Sequence, residues 1–396
     1  MLKMMYWILV FYTIIITLIF AINMQIPLNP YIRPVGMLAL VYLGCLMFIL
    51  FTIKHKKFPS VIFKVIAFVI CAIMSTLING QYTDDNLLMT IIELVLWVIA
   101  LIVFYIIAKE NKTSLKPFYI ISFALPFMAY LFYRIYQVDV NSVYYVLLFL
   151  PFILTIKQTY IKGFGVLMIY GSVILSLKRT ALIAAVASIL VYFFSSLFMA
   201  KEQHKIKTTI QTLSLLLIIS IGGFFLYDYL NNYYDLNWIL RMQSLKTDGG
   251  SDRDVIWMTT IYMQFKSTAA EWFFGHGSNA VLRDSPLNLT AHNDFLEVLY
   301  DYGVVTFTLY IGFIYSLIKT MVGMYKRRFS LAAQYSSTLP IFLIMSTTSH
   351  LVIYPTYFIY LAFFWGLSIA QYENYTTMLM NDSNVKVRQD PRGMIS

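Results

Sequence analysis

Long apolar runs follow one another along most of this chain. Twelve stretches of 17 to 22 residues carry few charges. As helices that rise about 1.5 Å per residue, they are long enough to cross a hydrocarbon core about 30 Å thick. The chain is 12% charged, about half the share in a soluble domain. We therefore predict an all-α polytopic membrane protein with about 12 transmembrane helices. The predicted spans are 4–22, 35–53, 61–79, 87–108, 115–136, 141–157, 161–177, 180–199, 210–230, 303–323, 333–352 and 355–371.

A polar insert interrupts this series after the ninth span. The predicted parts are transmembrane helices 1–9 at 1–230, a large loop with short helices at 231–302, helices 10–12 at 303–376, and a tail at 377–396. The tail is polar and contains Pro391 and Gly393, so we expect it to have little order. A membrane protein with one large loop usually carries its chemistry or recognition there, because short turns have no room for either.

The basic side chains predict the orientation of the chain. Of the 29 Lys and Arg residues, the twelve-span arrangement puts 20 on the side of the termini and 9 on the side of the large loop. Cytoplasmic loops are enriched in Lys and Arg, so both termini should be cytoplasmic and the large loop extracytoplasmic. The net charge of +10 follows from this topology and needs no nucleic-acid partner. Two cysteines are too few for a disulfide framework or a metal cluster.

Local patterns predict short helices inside the loop. The motif Ser251-x-x-Asp254 is typical of a capping box that opens a helix. Trp257, Ile261 and Phe265 would form its apolar face, because they are spaced four residues apart. The segment 271–277, which ends in Gly-His-Gly, is predicted to turn at the membrane surface.

A second loop helix is predicted just before the tenth span, with Thr290 as its cap and Gly303 at the start of the span. Two stripes follow on this helix, and we expect the apolar one to face the membrane. The apolar stripe is Phe295, Leu296 and Leu299, and the acidic stripe is Asp294, Glu297 and Asp301.

Several ionisable groups break the usual rules of membrane proteins, and they gather at the level of the outer leaflet. Polar groups at membrane depth are costly and are therefore candidates for function. Any one of them is also explained by a side chain that reaches the interface, but as a set they favour a site. The group comprises Glu93, Arg134, Lys178, Arg179, His292 and His350.

These residue types suit one kind of chemistry. Arginine presents a planar fork that fits phosphate oxygens and keeps its charge. A neutral histidine is the usual general base for a hydroxyl group. Arginines and a histidine at the outer leaflet therefore suit a lipid pyrophosphate whose sugar is attacked by an acceptor hydroxyl, with the arginines stabilising the leaving group.

Four motifs follow one another in the second half of the chain. They are Ser176-Leu177-Lys178-Arg179-Thr180-Ala181-Leu182, Arg253-x-x-x-Trp257, Phe274-Gly275-His276-Gly277 and His292-Asn293-x-x-Leu296-x-x-Leu299-x-x-x-Gly303. In this order they resemble the O-antigen ligase and Wzy-type polysaccharide polymerase superfamily, and the similarity covers about residues 165–325.

The resemblance implies an inverting, metal-independent glycosyltransferase of the membrane-embedded type, located in the bacterial cytoplasmic membrane. Its donor would be an undecaprenyl-pyrophosphate-linked oligosaccharide, and its partners would be membrane lipids, a flippase and a chain-length regulator. No cofactor is expected. By position His292 corresponds to the family's essential His, Arg179 to the family's Arg at the end of a span, and Arg253 to its loop Arg before the Trp. The chain departs from the family at Lys178, where Ser is commoner. Candidate substrate contacts are Lys178, His276, Arg283, Asn293, Glu93, Arg134 and His350.

Other interpretations stay open at this stage. A polymerase of capsule, O-antigen or exopolysaccharide is the first interpretation, and a ligase that moves a finished glycan to another acceptor shares the same motifs. A twelve-span transporter or lipid-linked glycan flippase is a third, although the two halves of this chain differ where transporters often repeat. A membrane scaffold would need no such Arg and His cluster. The sequence Asp252-Arg253-Asp254 also spells the metal-binding pattern of sugar-nucleotide transferases, but the loop faces away from cytoplasmic nucleotide sugars.

Overall fold

The computed structural model describes residues 58–79, 87–110, 143–200 except Leu177, 249–352 and 355–389, with scattered residues between these stretches. All elements in this part of the chain are helices. They are α1 (Ser60–Asn79), α2 (Leu87–Lys109), α3 (Val143–Leu148), α4 (Leu150–Leu154), α5 (Thr159–Leu175), α6 (Arg179–Met199), α7 (Gly249–Lys266), α8 (Ala269–Phe274), α9 (Ala280–Asp284), α10 (Asp294–Lys326), α11 (Ala332–Thr348) and α12 (Pro355–Gln389).

Four of these helices are long and apolar enough to cross a membrane. They are α1, the part of α2 from Thr90 to Lys109, α6 and α10. All four coincide with predicted spans, so the prediction of an all-helical membrane protein is confirmed. The number of twelve stays a prediction, because spans such as 4–22 lie outside the described residues.

The long helices pack in pairs around α2. In α2, 83% of the most apolar window is buried, against 44% in α1, so α2 lies in the centre of the described bundle. It packs along α12, α1 packs along α10, and α6 packs along α11. The contact of α2 with α12 is close at Gly366, where a Cβ atom would lie 2.3 Å from the carbonyl oxygen of Leu101.

The predicted span 141–157 is not one helix. It is divided into α3 and α4, and Pro151 stands in the first turn of α4. Proline has no backbone N–H, and its ring collides with the carbonyl group four residues earlier, here that of Leu147. The proline therefore interrupts the helix within this predicted span.

The tail is more ordered than expected. Helix α12 continues through residues 377–389, and it ends before Pro391. Just before this stretch Glu373 accepts hydrogen bonds from the Tyr105 hydroxyl at 2.7 Å and from Lys109 Nζ at 2.9 Å. An established helix extends easily into a polar sequence, because propagation costs much less than nucleation.

Helix α10 is broken at Gly303, and this break joins the loop to the membrane span. Gly303 has φ 77° and ψ 174°, which are not helical values. A Cβ atom there would lie 2.4 Å from the carbonyl oxygen of Phe273, and one on Gly275 would lie 2.3 Å from that of Asp301. The two glycines thus let the backbone after α8 lie directly against α10. The break lies at the residue where the sequence predicts that the tenth span begins.

Candidate functional site in the outer loop

Two cations stand at the start of α6. Helix α5 ends at Leu175, and Lys178 is the N-cap of α6, whose first residue is Arg179. The turn between the two helices is held by Ser176, whose hydroxyl donates to the carbonyl of Val173 at 2.7 Å and accepts from the Lys178 N–H at 3.2 Å. The first N–H groups of a helix point outward and carry partial positive charge. The N-terminus of α6 and the side chains of Lys178 and Arg179 therefore create a positive electrostatic field at the start of this helix.

Arg253 lies on α7, which differs in detail from the prediction. The helix begins at Gly249, so Ser251 lies inside its first turn and does not open it. The buried face is Ile256, Thr260 and Gln264, while Phe265 is 74% exposed. The predicted apolar face was therefore wrong by one residue, because polar side chains occupy two of the three buried positions.

Trp257 joins α7 to the segment before α10. Its indole Nε1 donates a hydrogen bond to the carbonyl oxygen of Ala291 at 2.9 Å, and Ala291 is fully buried. The residue after it, His292, has a positive φ of 52°, a conformation that side chains other than glycine adopt rarely. The indole thus holds the backbone beside a histidine with an unusual conformation.

The cap of α10 is Asn293, so the prediction of Thr290 as its cap was wrong. Oδ1 of Asn293 accepts hydrogen bonds from the N–H groups of Phe295 at 3.0 Å and Leu296 at 3.2 Å. Thr290 instead contacts His350, with 3.0 Å between Thr290 Oγ1 and His350 Nε2. The Asn293 side-chain oxygen therefore has a local structural role.

The pKa shifts of His292 and Arg253 show which of the candidate residues lie close enough to interact. The pKa of His292 is lowered, first because burial removes water from the ring and then because Arg253 and Lys178 repel a further positive charge. The pKa of Arg253 is also lowered, chiefly by burial; Tyr144 opposes the shift and Arg179 adds to it. Lys178, Arg179, Arg253 and His292 thus act on one another across three segments of the chain. We call these four residues the basic cluster.

His350 lies against the basic cluster on its buried side. Its ring centroid is 4.4 Å from that of His292, with 39° between the ring planes, and the residue is only 6% exposed. Its Nδ1 lies 3.5 Å from Oε1 of Glu297. His350 therefore packs against the His292 ring from the interior of the protein.

The acidic stripe of α10 faces the interior of the protein. Asp294, Glu297 and Asp301 are at most 1% exposed, and each faces the backbone of a different loop. Asp294 accepts from the N–H groups of Leu351 and Val352, Asp301 accepts from the N–H group of Val281, and Glu297 lies near the N–H groups of Ala291 and His292. The sequence predicted only that the apolar stripe faces the membrane; the inward direction of the acidic stripe was not predicted, and it follows because buried backbone N–H groups need acceptors inside the fold.

His276 belongs to a structural turn. Its ring stacks on Tyr300 with 4.1 Å between centroids, its Nδ1 lies 3.0 Å from the Tyr300 carbonyl oxygen, and its Nε2 lies 3.2 Å from Ser267 Oγ. Tyr300 is about two turns of α10 beyond His292, or about 11 Å along the helix axis. The turn predicted over 271–277 is confirmed for Gly275-His276-Gly277 only, because residues 271–274 belong to α8. It contains Gly275 and Gly277, both with positive φ.

The other predicted contacts are distributed differently. Arg283 binds Asp284, with 2.7 Å between Nε and Oδ1, and donates to the carbonyl of His276 at 3.2 Å, which places it with the His276 turn. Glu93 lies on α2 and is half-buried. Arg134 lies outside the described residues. Within the described stretches, no three side chains of His, Cys, Asp or Glu are arranged to hold a metal ion.

A family comparison identifies the segment that holds the basic cluster. A family model described as O-antigen ligase matches residues 164–311. The resemblance to the O-antigen ligase superfamily is thus confirmed for this segment. It runs from α5 to the middle of α10 and contains all four members of the basic cluster, whereas His350 lies beyond it. Comparison with curated proteins gave no match to the chain.

Three features of the matched segment and its surroundings could not be recognised beforehand. They are the bond from Trp257 to Ala291, the contact of Thr290 with His350, and the inward direction of the acidic stripe. The only sequence signal was the i, i+3, i+7 spacing of three carboxylates next to a membrane span, a depth at which charges are costly.

Proposed function

We propose that this protein transfers a glycan from an undecaprenyl-pyrophosphate carrier to a hydroxyl group of an acceptor glycan, as the polymerase of a cell-surface polysaccharide. The observation that carries the proposal is the interaction of a half-buried histidine, His292, with Arg253 and Lys178, together with that of Arg253 with Arg179. A general base and a positive field are the two components that this reaction needs.

His292 is the general base. Because its pKa is lowered, the ring is neutral near pH 7 and can accept the proton of the acceptor hydroxyl. The acceptor oxygen then forms a bond to the anomeric carbon, and the bond from that carbon to the pyrophosphate oxygen breaks. A single displacement of this kind inverts the anomeric centre.

Arg179, Arg253 and Lys178 stabilise the pyrophosphate as it leaves. Its negative charge grows in the transition state, so donors already fixed at its position lower the barrier more than they strengthen binding of the ground state. The N-terminus of α6 adds its own N–H groups to this field. With this field the reaction needs no metal ion, so we expect full activity in excess EDTA.

The position of the cations fits a lipid-linked donor. Arg179 starts a helix that is apolar enough to cross the membrane, so its guanidinium lies at the level where a pyrophosphate head group meets the hydrocarbon. Under the predicted orientation this is the outer leaflet, where a flippase would deliver the donor.

A polymerase and a ligase perform the same bond exchange and differ in the acceptor. Purified protein in lipid vesicles should be given the undecaprenyl-pyrophosphate-linked repeat unit alone, and the products separated by size. A ladder of increasing length supports a polymerase. A product formed only after a different acceptor is added would favour the ligase. Movement of the donor across the vesicle without any new glycosidic bond would overturn the proposal and favour a flippase.

A further inference from the structure

Glu297 has no part in the chemistry proposed above, although it lies directly behind His292. It is a carboxylate with 1% exposure, so it cannot reach a substrate. Its carboxylate faces the segment 291–292, which contains the proposed base. We infer that Glu297 is the positioning residue of His292, and that it acts on the backbone of His292 and through the ring of His350. This inference rests on the proposed role of His292 as the general base.

The backbone at His292 needs such support. Its φ of 52° lies in the left-handed region, which persists only where surrounding contacts fix it. The Glu297 carboxylate lies near the N–H groups of Ala291 and His292. On the other side of the same segment, Trp257 donates to the carbonyl of Ala291 at 2.9 Å. The carboxylate and the indole therefore constrain two consecutive residues.

The ring of His292 is supported by the same carboxylate. His350 packs on it with 4.4 Å between centroids. The Nε2 atom of His350 lies 3.0 Å from Thr290 Oγ1, and its Nδ1 faces Glu297 Oε1 at 3.5 Å. One carboxyl group thus lies against the His350 ring and also near the backbone N–H groups of Ala291 and His292.

A second carboxylate holds the loop that carries His350. Asp294 accepts hydrogen bonds from the N–H groups of Leu351 at 3.1 Å and Val352 at 3.3 Å. The two histidines therefore stack because their loops are tied to neighbouring positions on one turn of α10. The His350 ring therefore orients the His292 ring from the interior of the protein. The other face of the His292 ring is free to contact the substrate.

Asp301 offers a matched control. It is on the same helix, is also 1% exposed, and also accepts a backbone N–H, that of Val281 at 3.0 Å. Its loop, however, carries α9 and no member of the basic cluster. If a buried carboxylate on α10 mattered only for stability, Asp301 and Glu297 variants would behave alike.

The test compares Glu297→Leu and Glu297→Gln with Asp301→Asn in purified protein. Two quantities are measured: kcat and KM for glycan transfer, and the rate at which diethyl pyrocarbonate modifies His292, followed by mass spectrometry of the peptide. A displacement of about 1 Å costs up to about 10²-fold in rate. We expect Glu297→Leu to lower kcat by that factor with KM unchanged, and to speed modification of His292. Glu297→Gln, which keeps one acceptor oxygen, should recover part of the rate.

The outcomes separate this inference from the proposed function. The inference is overturned if Asp301→Asn lowers kcat as much as Glu297→Leu, or if both Glu297 variants leave kcat and the modification of His292 unchanged. If His292→Ala itself retains transfer, the proposed base is wrong. The rate at which His292 is modified in Glu297→Leu then still shows whether Glu297 positions the ring, because this measurement does not depend on transfer activity.

Discussion

At the scale of single residues, the basic cluster links charge and burial to reactivity. Two of its cations, Arg253 and Lys178, raise the cost of adding a proton to His292, and Arg179 acts on Arg253. In the proposed mechanism the same charges keep the base neutral before the reaction and stabilise the leaving pyrophosphate during it. Replacement of His292 should mainly affect proton transfer, and replacement of Arg179 should mainly affect stabilisation of the leaving group. The two effects can therefore be measured separately.

The first prediction concerns the base. His292→Ala should lower transfer by about 10²–10⁴-fold, the usual contribution of a positioned base, with normal amounts of protein in the membrane. Polymer length in a complemented null strain and transfer by purified protein measure the effect. Asp254→Asn is the control: its side chain is exposed on the same loop, and it should be as active as the wild type. Polymer of normal length from His292→Ala would refute the assignment.

The second prediction concerns pH. His292 must be neutral to act, so kcat/KM should be constant at high pH and fall as pH drops through its pKa, which lies below the ordinary 6.5. Arg253 lowers this pKa by repelling the added proton, so Arg253→Gln should raise it. The acidic limb of the profile, measured between about pH 5 and 8 around the ordinary histidine value, should then move to higher pH. An unchanged midpoint would show that Arg253 does not act on the base.

The third prediction separates geometry from charge. Arg179→Ala should lower kcat by about 10²–10³-fold, the cost of removing one positioned donor. Arg179→Lys should restore little of this, because Lys keeps the charge but loses the planar fork. Single-turnover rates with lipid-linked donor provide the measurement. If Lys works as well as Arg while Ala fails, Arg179 contributes only a diffuse charge.

At the scale of helices, the sequence predicts a helix terminus where a local residue pattern determines it. It does not predict a terminus that depends on tertiary contacts. The break between α5 and α6 follows from Lys178 and Arg179, which interrupt an apolar run. The only capping box in the described part of the loop is at Thr268, where Glu271 Oε2 accepts the Thr268 N–H at 2.6 Å. The pattern at Ser251 has the same spacing, so the sequence alone could not separate the two.

The candidate site was predictable to a similar degree. The types and order of Lys178, Arg179, Arg253 and His292 pointed to one phosphate-binding surface, since cations at membrane depth have few other uses. Glu297 was not recognised, because on a helical wheel an acidic stripe is expected to face water. Its true direction depends on N–H groups of the segment at 291–292, whose conformation no local pattern encodes.

The fourth prediction tests the glycine contact that joins the loop to the membrane span. Gly303→Ala places a Cβ where φ is 77° and backbone atoms are 2.4 Å away. The positive φ alone costs about 1–3 kcal/mol, and the collision adds to it. Gly312→Ala on the same helix is the control, because its nearest neighbour would be a Lys64 side-chain carbon at 3.6 Å. Thermal aggregation should occur at a clearly lower temperature in Gly303→Ala only. Equal behaviour of the two variants would mean that the contact is dispensable.

At the scale of the whole molecule, the site works only if the loop is on the side where the donor is delivered. The mechanism places the pyrophosphate at the start of α6 and the base at the start of α10. These ends must therefore share one face of the membrane. The C-terminal ends of α6 and α10 would then lie at the opposite face, where the predicted topology has its excess of Lys and Arg.

The last prediction tests this topology directly. In a protein whose Cys45 and Cys71 are replaced by alanine, single cysteines are introduced by Lys246→Cys in the large loop and Lys326→Cys at the end of α10. A membrane-impermeant maleimide applied to intact cells should label the first and not the second, and after lysis both should react, which controls for accessibility. The physical reason is the positive-inside rule, which puts Lys326 with neighbouring Arg327 and Arg328 in the cytoplasm. Labelling of Lys326→Cys alone in intact cells would place the basic cluster on the cytoplasmic face, where a donor already moved to the outer leaflet could not reach it.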